Sequence, residues 1–510
     1  MRVRILFLLL FLPLPLTAAA PIVKSGDSLP DKGGQIKILY VPVINNQGAI
    51  AFVSILEGEG IHPKNNYALL SFHKGDLKLI AKAGNLIPEG EGTFASLPAD
   101  SLGPFRGAPR LNDSGEIAFL GAYDPDGNKL YASKVGIFTP TQKIVKDGDS
   151  APQSPNQKFF FDPDMTNPPI LSQENSIVFS APLAGDSIEE RQSGLYLSKS
   201  GQLKKIVLRG EPVPEGNAKF DTPSLEDWLG FGPPAINKNG TLVFCARQKL
   251  IDSSQLNRYD SGFREVLYLY SAGKLKRMAG SEDILPYTHG NLEYLYTVKF
   301  SPDINASNKV AFQGTGGGEE LIFTTDAGKL EIVAKTGENA LGNGIFSQLR
   351  WQPSLNDLGN ILFAGKLREG TLSNSDAIFL RTNGSLRPIV KRGDSTPEGD
   401  GTFYELTTSD KYLQVNANRL NLNELGHFAF MASLLKQDGS TNLGLYTYDG
   451  TKIKKIVRTG DILMDKKVKD IGFNTVESSG VRGFNDSCQI TFVTQFEDDT
   501  YALWITDGCD

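Results

Sequence analysis

The chain has 510 residues, a formal net charge of -6 at pH 7 and a hydrophobic content of 40%. That content is too high for a disordered protein, and an acidic chain lacks the basic surface that phosphate binding requires, so we expect no nucleic-acid partner. The 3 cysteines and 4 histidines cannot form a disulfide scaffold and show no spacing typical of zinc, iron–sulfur or haem sites.

Residues 1–20 have the pattern of a signal peptide. Arg2 and Arg4 precede a short apolar run, and three alanines at 18–20 offer a small-residue cleavage site. The run is shorter than a comfortable membrane span, although a retained N-terminal anchor is the alternative. We therefore predict an exported soluble protein, periplasmic or extracellular, with no membrane insertion after signal cleavage.

A turn-and-strand element recurs eight times in residues 21–510, at intervals of about sixty residues. Asn or Ser at its first position can hydrogen-bond a backbone amide two residues on, and Gly or Asn at the fourth tolerates a left-handed backbone. Each copy therefore predicts a tight turn that enters an apolar strand ending in Phe. The copies are NNQGAIAF (45–52), NDSGEIAF (112–119), SQENSIVF (172–179), NKNGTLVF (237–244), NASNKVAF (305–312), NDLGNILF (356–363), NELGHFAF (423–430) and NDSCQITF (485–492).

A hairpin of two apolar runs follows most of these strands, so the repeat unit contains four antiparallel strands, which is one propeller blade. The last repeat stops after its third strand at 502–507, whereas 21–24 reads as a fourth strand without the first three. We predict an all-β fold, an eight-bladed β-propeller forming one domain over 21–510, with the N-terminal strand completing the last blade and closing the ring. Seven or nine blades and an open solenoid are the alternatives.

These repeats resemble those of exported proteins known as choice-of-anchor tandem repeat NxxGxxAF-containing proteins, over all of 21–510. More distantly they resemble the WD40-like blades of the Tol-system periplasmic propeller. The resemblance implies export and a propeller fold, and it names no catalytic residue. The absence of a C-terminal anchor segment favours a free form.

One face of the ring should carry acidic side chains, because seven of the fourth strands end in Gly followed by an acidic or amide residue, and in the fifth copy the acidic residues are displaced to Glu282 and Asp283. A cation-binding or basic-partner surface is one interpretation, and a carboxylate that caps its own turn is the other. The residues taken as the ligand or partner surface are Asp27, Asp149, Glu211, Asp394 and Asp461.

Two further candidates concern metal binding and a disulfide. Asp124, Asp126 and Asn128 alternate along a Gly-containing turn, which is weakly similar to a calcium loop, so Ca²⁺ is possible although no cofactor is required. Cys488 occupies the left-handed position of the last turn, and Cys509 lies at the same edge of the blade. We predict a disulfide between them, with two free thiols as the alternative.

Function would be carried by the variable loops. Blade four has the most aromatic and basic loops, with Trp228, Arg258 and Tyr259 as candidate contacts for a carbohydrate or peptide. We predict an exported binding module for an unknown protein, peptide or glycan. The alternatives are a glycan-active hydrolase or lyase with carboxylates converging at the channel mouth, and a structural adhesion module without a deep pocket.

Overall fold

The computed structural model describes residues 21–509 with several gaps, and every regular element in the described part is a β-strand. The positions not described inside that range are 97–103, 128–131, 133, 153, 162–167, 185–191, 222–230, 252–262, 287–289, 296–300, 343, 370–371, 407–419 and 475–481. The described part of the chain contains no helix long and apolar enough to cross a membrane.

Strands of the first four blades follow the N-terminal strand β1 (Val23–Lys24). Blade 1 has β2 (Gln35–Leu39), β3 (Val43–Ile44), β4 (Ile50–Glu57), β5 (Tyr67–His73) and β6 (Asp76–Lys82). Blade 2 has β7 (Thr93–Phe94), β8 (Phe105–Leu111), β9 (Ile117–Asp124), β10 (Lys134–Phe138) and β11 (Lys143–Lys146). Blade 3 has β12 (Ser150–Ala151), β13 (Ser154–Lys158), β14 (Ile170–Leu171), β15 (Ile177–Pro182), β16 (Ser193–Lys199) and β17 (Gln202–Leu208). Blade 4 has β18 (Ala218–Asp221), β19 (Ala235–Ile236), β20 (Leu242–Leu250), β21 (Phe263–Ser271) and β22 (Lys274–Gly280).

The last four blades repeat the pattern. Blade 5 has β23 (Leu292–Leu295), β24 (Asp303–Ile304), β25 (Val310–Gly316), β26 (Glu319–Asp326) and β27 (Lys329–Lys335). Blade 6 has β28 (Ile345–Leu355), β29 (Ile361–Glu369), β30 (Leu372–Thr382) and β31 (Ser385–Lys391). Blade 7 has β32 (Gly401–Glu405), β33 (Asn421–Leu422), β34 (Phe428–Lys436), β35 (Thr441–Tyr448) and β36 (Ile453–Arg458). Blade 8 has β37 (Ile462–Leu463), β38 (Lys466–Gly472), β39 (Gln489–Phe496) and β40 (Tyr501–Asp507).

Each blade is a four-stranded antiparallel sheet, as the repeats predict. The first strand of a blade is interrupted before the turn; in blade 1 it is divided into β2 and β3, both paired with β4. Pro42 lies at this interruption, where its missing N–H cannot continue the ladder. Antiparallel alternation places the first-to-second-strand turns and the third-to-fourth-strand hairpins at one end of the propeller, here called the turn face. The links between blades lie at the opposite end, here called the link face.

Closure of the ring follows the prediction. β1 pairs antiparallel with β40, with Val23 opposite Leu503 and Lys24 opposite Ala502, so the N-terminal strand is the fourth strand of blade 8. The Ile22 amide donates to the Leu503 carbonyl over 2.8 Å. Val23 is buried in a hydrophobic cluster that contains residues of blades 1 and 8. The first and last segments of the described chain therefore share one sheet.

The asparagine of each turn joins neighbouring blades as well as shaping its own turn. Asn423 Oδ1 accepts the amides of Leu425 and His427, and its Nδ2 donates to the Asn485 carbonyl of the next blade over 3.3 Å. Asn485 in turn donates to the Asn45 carbonyl of blade 1 over 2.8 Å. Ser172 keeps the turn bonds but has no amide group to donate onward. The complete set of donors to the next blade is Asn45, Asn112, Asn237, Asn305, Asn356, Asn423 and Asn485.

Shortening Val23 should weaken ring closure. Val23 is 2% exposed in a strand of two residues, so we expect Val23→Ala to lower the free energy of unfolding by about 2 kcal/mol, as for the loss of a buried valine side chain. The matched control is Lys24→Ala, an exposed position of the same strand, which should change stability by less than about 0.5 kcal/mol. Urea denaturation measures both, and equal effects of the two substitutions would contradict this account.

The hydrogen bonds from the turn asparagines to the next blade can be tested by exchanging Asn and Ser, the two residue types that the repeats have at the first turn position. Ser172→Asn supplies the missing donor to the Asn237 carbonyl and should raise the free energy of unfolding by about 1 kcal/mol. Asn356→Ser keeps the oxygen that shapes the turn but removes the donor to Asn423, and should lower it by about the same amount. Denaturant titrations of both variants against the native protein give the comparison. Shifts of the same sign would show that these bonds do not stabilise the ring.

Candidate ligand-binding site at the channel mouth

A central pocket opens on the turn face, where the eight turns meet around the channel. It encloses about 1000 Å³, part of it open to solvent, and every blade contributes to its lining. In seven of the turns, the residue immediately before the first turn position is aliphatic. Together these seven residues form the floor of the pocket. These floor residues are Ile44, Leu111, Leu171, Ile236, Ile304, Leu355 and Leu422.

The rim of the pocket is formed by the residue after the first position of each turn. Six of these side chains accept a hydrogen bond from the backbone amide of the rim residue in the preceding blade. The amide of Asp357 donates to Glu424 Oε2 over 2.7 Å, and that of Glu424 donates to Asp486 Oδ1 over 2.9 Å. Lys238 and Ala306 have no acceptor atom and cannot take part in this way. The eight rim residues are Asn46, Asp113, Gln173, Lys238, Ala306, Asp357, Glu424 and Asp486.

The two cations at the mouth are paired with rim carboxylates. Lys238 reaches across blade 5, where Ala306 is short, and its Nζ lies 2.5 Å from Asp357 Oδ2. This hydrogen bond and the charge of Asp357 raise the pKa of Lys238. Arg482 Nη1 lies 3.4 Å from Asp486 Oδ1. The lining therefore carries four carboxylates, those of Asp113, Asp303, Asp357 and Glu424, against two cations, Lys238 and Arg482, a formal charge of -2 (two cations minus four carboxylates).

The carboxyl group of Glu424 has a raised pKa. Burial raises its pKa, and the neighbouring charges of Asp357 and Asp486 raise it further, against the Asp357 amide and Arg482, which lower it. Removing this proton places a third negative charge beside two others in a partly buried site. The rim is thus electrostatically prepared for a positively charged group or for a hydrogen-bond donor.

The acidic residues predicted from the ends of the fourth strands lie elsewhere, on the link face. The carboxylate of Asp27 accepts the Lys24 amide over 2.9 Å, so it caps its own turn. The same bond of 2.8 or 2.9 Å, to the amide three residues earlier, occurs at Asp149, Glu211, Asp394 and Asp461. Several of them also pair with a lysine of the preceding strand, as Asp149 does with Lys143 at 3.1 Å. This geometry favours the turn-capping interpretation over a shared cation surface.

The weaker candidates are placed only in part. Asp124 is fully buried at the end of β9, and its Oδ1 accepts the Asp126 amide over 3.3 Å, as in an ordinary turn. Asn128 lies outside the described residues, and so do Trp228, Arg258 and Tyr259 of blade 4.

The structure joins Cys488 and Cys509 by a disulfide, with 5.6 Å between the Cα atoms. The bond ties the left-handed turn of blade 8, where Cys488 has a φ of 60°, to the end of β40. Cys245 is a buried free thiol in blade 4. The disulfide lies at the interface of blades 7 and 8, where His427 contacts both sulfur atoms.

Sequence analysis missed the rim residues. Their signal is the second position of the repeat, which is acidic in four copies and amide-bearing in two. That position looks like an ordinary solvated turn residue within one repeat. Its role appears only when eight turns are arranged around one axis, because the acceptor of each amide belongs to the neighbouring blade.

Replacing Glu424 should change how stability depends on pH. The raised pKa means that the folded state retains a proton that the unfolded chain releases near 4.5, so the free energy of unfolding falls as pH rises through the window above 4.5. Glu424→Gln keeps the acceptor oxygen and removes the titration, and should make this fall smaller, leaving the contribution of Glu265, whose pKa burial also raises.

The matched control has the opposite sign. Arg458 lowers the pKa of Asp400 to about 2, so Asp400 contributes stability that is lost as pH falls from 3.8 towards 2. Asp400→Asn should therefore remove the rise in the free energy of unfolding with pH in that acidic window, and leave its pH dependence above 4.5 unchanged. Denaturant titrations from pH 2 to pH 8 test both, and a Glu424→Gln profile parallel to that of the native protein would contradict the rim electrostatics.

Comparisons with known proteins place the chain in a family and provide neighbours of the same fold. The search of curated proteins finds no match. Among solved structures, the β-propeller domain of the Trilobed protease from Pyrococcus furiosus is similar, with a TM-score of 0.38 and 10% identity over 84% of this chain and 99% of that one. The acylaminoacyl peptidase of Pyrococcus horikoshii has a TM-score of 0.37 and 11% identity over 93% of this chain, which spans 52% of the peptidase. A sialidase of Trypanosoma rangeli has a TM-score of 0.31 and 9% identity, over 71% of this chain and 58% of the sialidase.

The family match has two consecutive parts, residues 16–263 and 263–507, which together span almost the whole chain. Its description differs from that of the choice-of-anchor repeats, so that resemblance stays an expectation. The chain belongs to the Family of unknown function (DUF7453).

Proposed function

We propose that the protein is an exported binding module that takes a positively charged ligand, a lysine or arginine side chain of a peptide, into the channel mouth on the turn face. The observation that carries the proposal is the formal charge of -2 on a pocket to which all eight blades contribute. An alkyl stem would contact the aliphatic floor while the ammonium or guanidinium group meets the rim carboxylates.

Preorganisation supports a binding role. Asp357 and Glu424 each accept a backbone amide from the preceding blade, over 2.6 and 2.7 Å, so their carboxylates are fixed before a ligand arrives. The Glu424 Oε1 atom makes no hydrogen bond to the described residues and remains available. A site whose polar groups are already held in place loses little side-chain entropy on binding.

Export is supported by two independent features. Residues 1–20 have the composition of a signal peptide, and the described chain contains a disulfide, which persists in oxidising compartments. We place the protein in the periplasm or outside the cell.

The second candidate function is a glycan-active enzyme. The raised pKa of Glu424 favours it, because a carboxyl group with a raised pKa near a second carboxyl group, such as that of Asp357, is the arrangement of a general acid and its companion. Against this role, both carboxylates are engaged by backbone amides of neighbouring blades. The binding role therefore takes precedence.

Calorimetric titration with an arginine tripeptide amide tests the proposal, with a glutamine tripeptide amide and a chitin tetrasaccharide as comparison ligands. We expect the arginine peptide to bind, the glutamine peptide to bind much more weakly, and affinity to fall with added salt. Glu424→Gln and Asp357→Asn should each weaken binding about tenfold, the loss of one charge-assisted contact.

The control variant is Glu91→Gln, which removes one exposed carboxylate from the link face and should leave binding unchanged. Absence of binding by the arginine peptide, or equal losses in Glu91→Gln and Glu424→Gln, would refute the site. Hydrolysis of the tetrasaccharide that Glu424→Gln abolishes would replace the binding role by the enzymatic one.

A further inference from the structure

At the interface of blades 7 and 8, the described chain brings together one imidazole and two cysteine sulfur atoms, which are groups that bind metal ions. His427 Nδ1 lies 3.2 Å from Cys488 Sγ and 3.2 Å from Cys509 Sγ. All three atoms lie within 4.8 Å of one another, although the residues are 61 and 82 positions apart in the sequence. Cys488 is buried, whereas His427 and Cys509 are partly exposed.

The repeat geometry explains why the imidazole meets the thiol. At two other interfaces, the fifth residue of an eight-residue repeat element lies next to the fourth residue of the next blade's element. A Cβ added at Gly426 would lie 3.0 Å from Asn360 Nδ2, and one added at Gly48 would lie 3.0 Å from Gln489 Oε1. At the interface of blades 7 and 8 the same two positions hold His427 and Cys488. The repeat geometry thus brings the positions of His427 and Cys488 next to each other, as it does the equivalent positions at those two interfaces.

Cys509 is held in place by bonds that do not involve its sulfur. The Gly508 amide donates to the Cys488 carbonyl over 2.7 Å, and the Gly508 carbonyl accepts from Thr447. Lys454 Nζ donates to the Cys509 carbonyl, and the Cys509 amide donates to Asp507 over 2.9 Å. The segment after β40 should therefore keep its position when the disulfide is reduced.

We propose that the reduced protein binds one Zn²⁺ ion through Cys488 Sγ, Cys509 Sγ and His427 Nδ1, with a water molecule as fourth ligand, and that the disulfide is the metal-free state of this site. Two thiolates and one imidazole are a common zinc donor set, with bonds of about 2.3 Å to sulfur and about 2.0 Å to nitrogen. Tetrahedral bonds of that length require the sulfur atoms to separate to about 3.7 Å. The Cα atoms of the two cysteines lie 5.6 Å apart, a spacing that allows the sulfur atoms to separate to that distance.

The exchange between the two states balances with a dithiol as the reductant. The dithiol gives two electrons and two protons to the Cys488–Cys509 bond, which breaks into two thiols, while the dithiol itself becomes a disulfide. Zinc binding then releases the two thiol protons to solvent and uses the lone pair of His427 Nδ1. In the reverse direction a small-molecule disulfide takes up the two electrons and two protons and becomes a dithiol, while the two thiolates re-form the sulfur–sulfur bond and expel the ion.

Cobalt substitution tests the site, because Co²⁺ bound by thiolates absorbs in the near ultraviolet and, when tetrahedral, strongly in the visible. The purified protein is reduced with a phosphine and titrated with Co²⁺ alone, and Zn²⁺ is then added. We expect one Co²⁺ per chain with both absorption bands, displacement by one Zn²⁺, and no bands in the oxidised protein.

His427→Gln is the decisive variant, because it leaves the disulfide intact and its fold can be checked in the oxidised form. It should weaken metal binding by about tenfold or more, the loss of one ligand. Cys245→Ala removes the thiol of blade 4 and should bind as the native protein does. A reduced protein without thiolate–cobalt absorption, or a His427→Gln variant with native affinity, would overturn the proposal and leave the disulfide as a structural link.

Discussion

The structure depends on the pairing of β1 with β40, which makes a ring from a chain whose two ends belong to the same sheet. A blade alone would expose the edges and both apolar faces of its sheet, and only neighbours on each side cover those faces. The turn asparagines also join neighbouring blades around the channel. The side-chain oxygen of each asparagine accepts amides of its own turn, and its side-chain amide donates to the turn of the next blade. Ser172 has no side-chain amide group, so blade 3 lacks the corresponding hydrogen bond to blade 4.

Ring closure also creates the candidate site. Side chains at one repeat position, separated by about sixty residues in the sequence, become neighbours around one axis, and their carboxylates satisfy the amides of adjacent turns. Those bonds consume part of the hydrogen-bonding capacity of Asp113, Asp357 and Asp486, while the aliphatic floor below them is contributed by the preceding residue of each turn. A function at the mouth therefore shares its residues with the interactions that hold the blades together. Burial, together with the nearby charges of Asp357 and Asp486, raises the pKa of Glu424 there.

Much of the fold could be predicted from the sequence because the repeat is local: an Asn-to-Gly turn, its strand and the hairpin after it fall within about sixty residues. Ring closure was predictable for the same reason, since the orphan strand at 21–24 matches the strand missing from the last repeat. The candidate site could not be predicted, because its residues become neighbours only when the blades are arranged around one axis. The acidic residues after the fourth strands were conspicuous in sequence yet cap their own turns, whereas Glu424 and His427 looked ordinary. Their neighbours are provided by other blades.

The central claim, that the channel mouth on the turn face is where the protein meets its ligand, is tested most directly by a crystal structure of the protein grown with the arginine tripeptide amide. The account predicts electron density for a guanidinium group between Asp357 and Glu424, with its stem over Leu355 and Leu422. Density for the peptide on the link face, among the turns capped by Asp149 and Glu211, would contradict it.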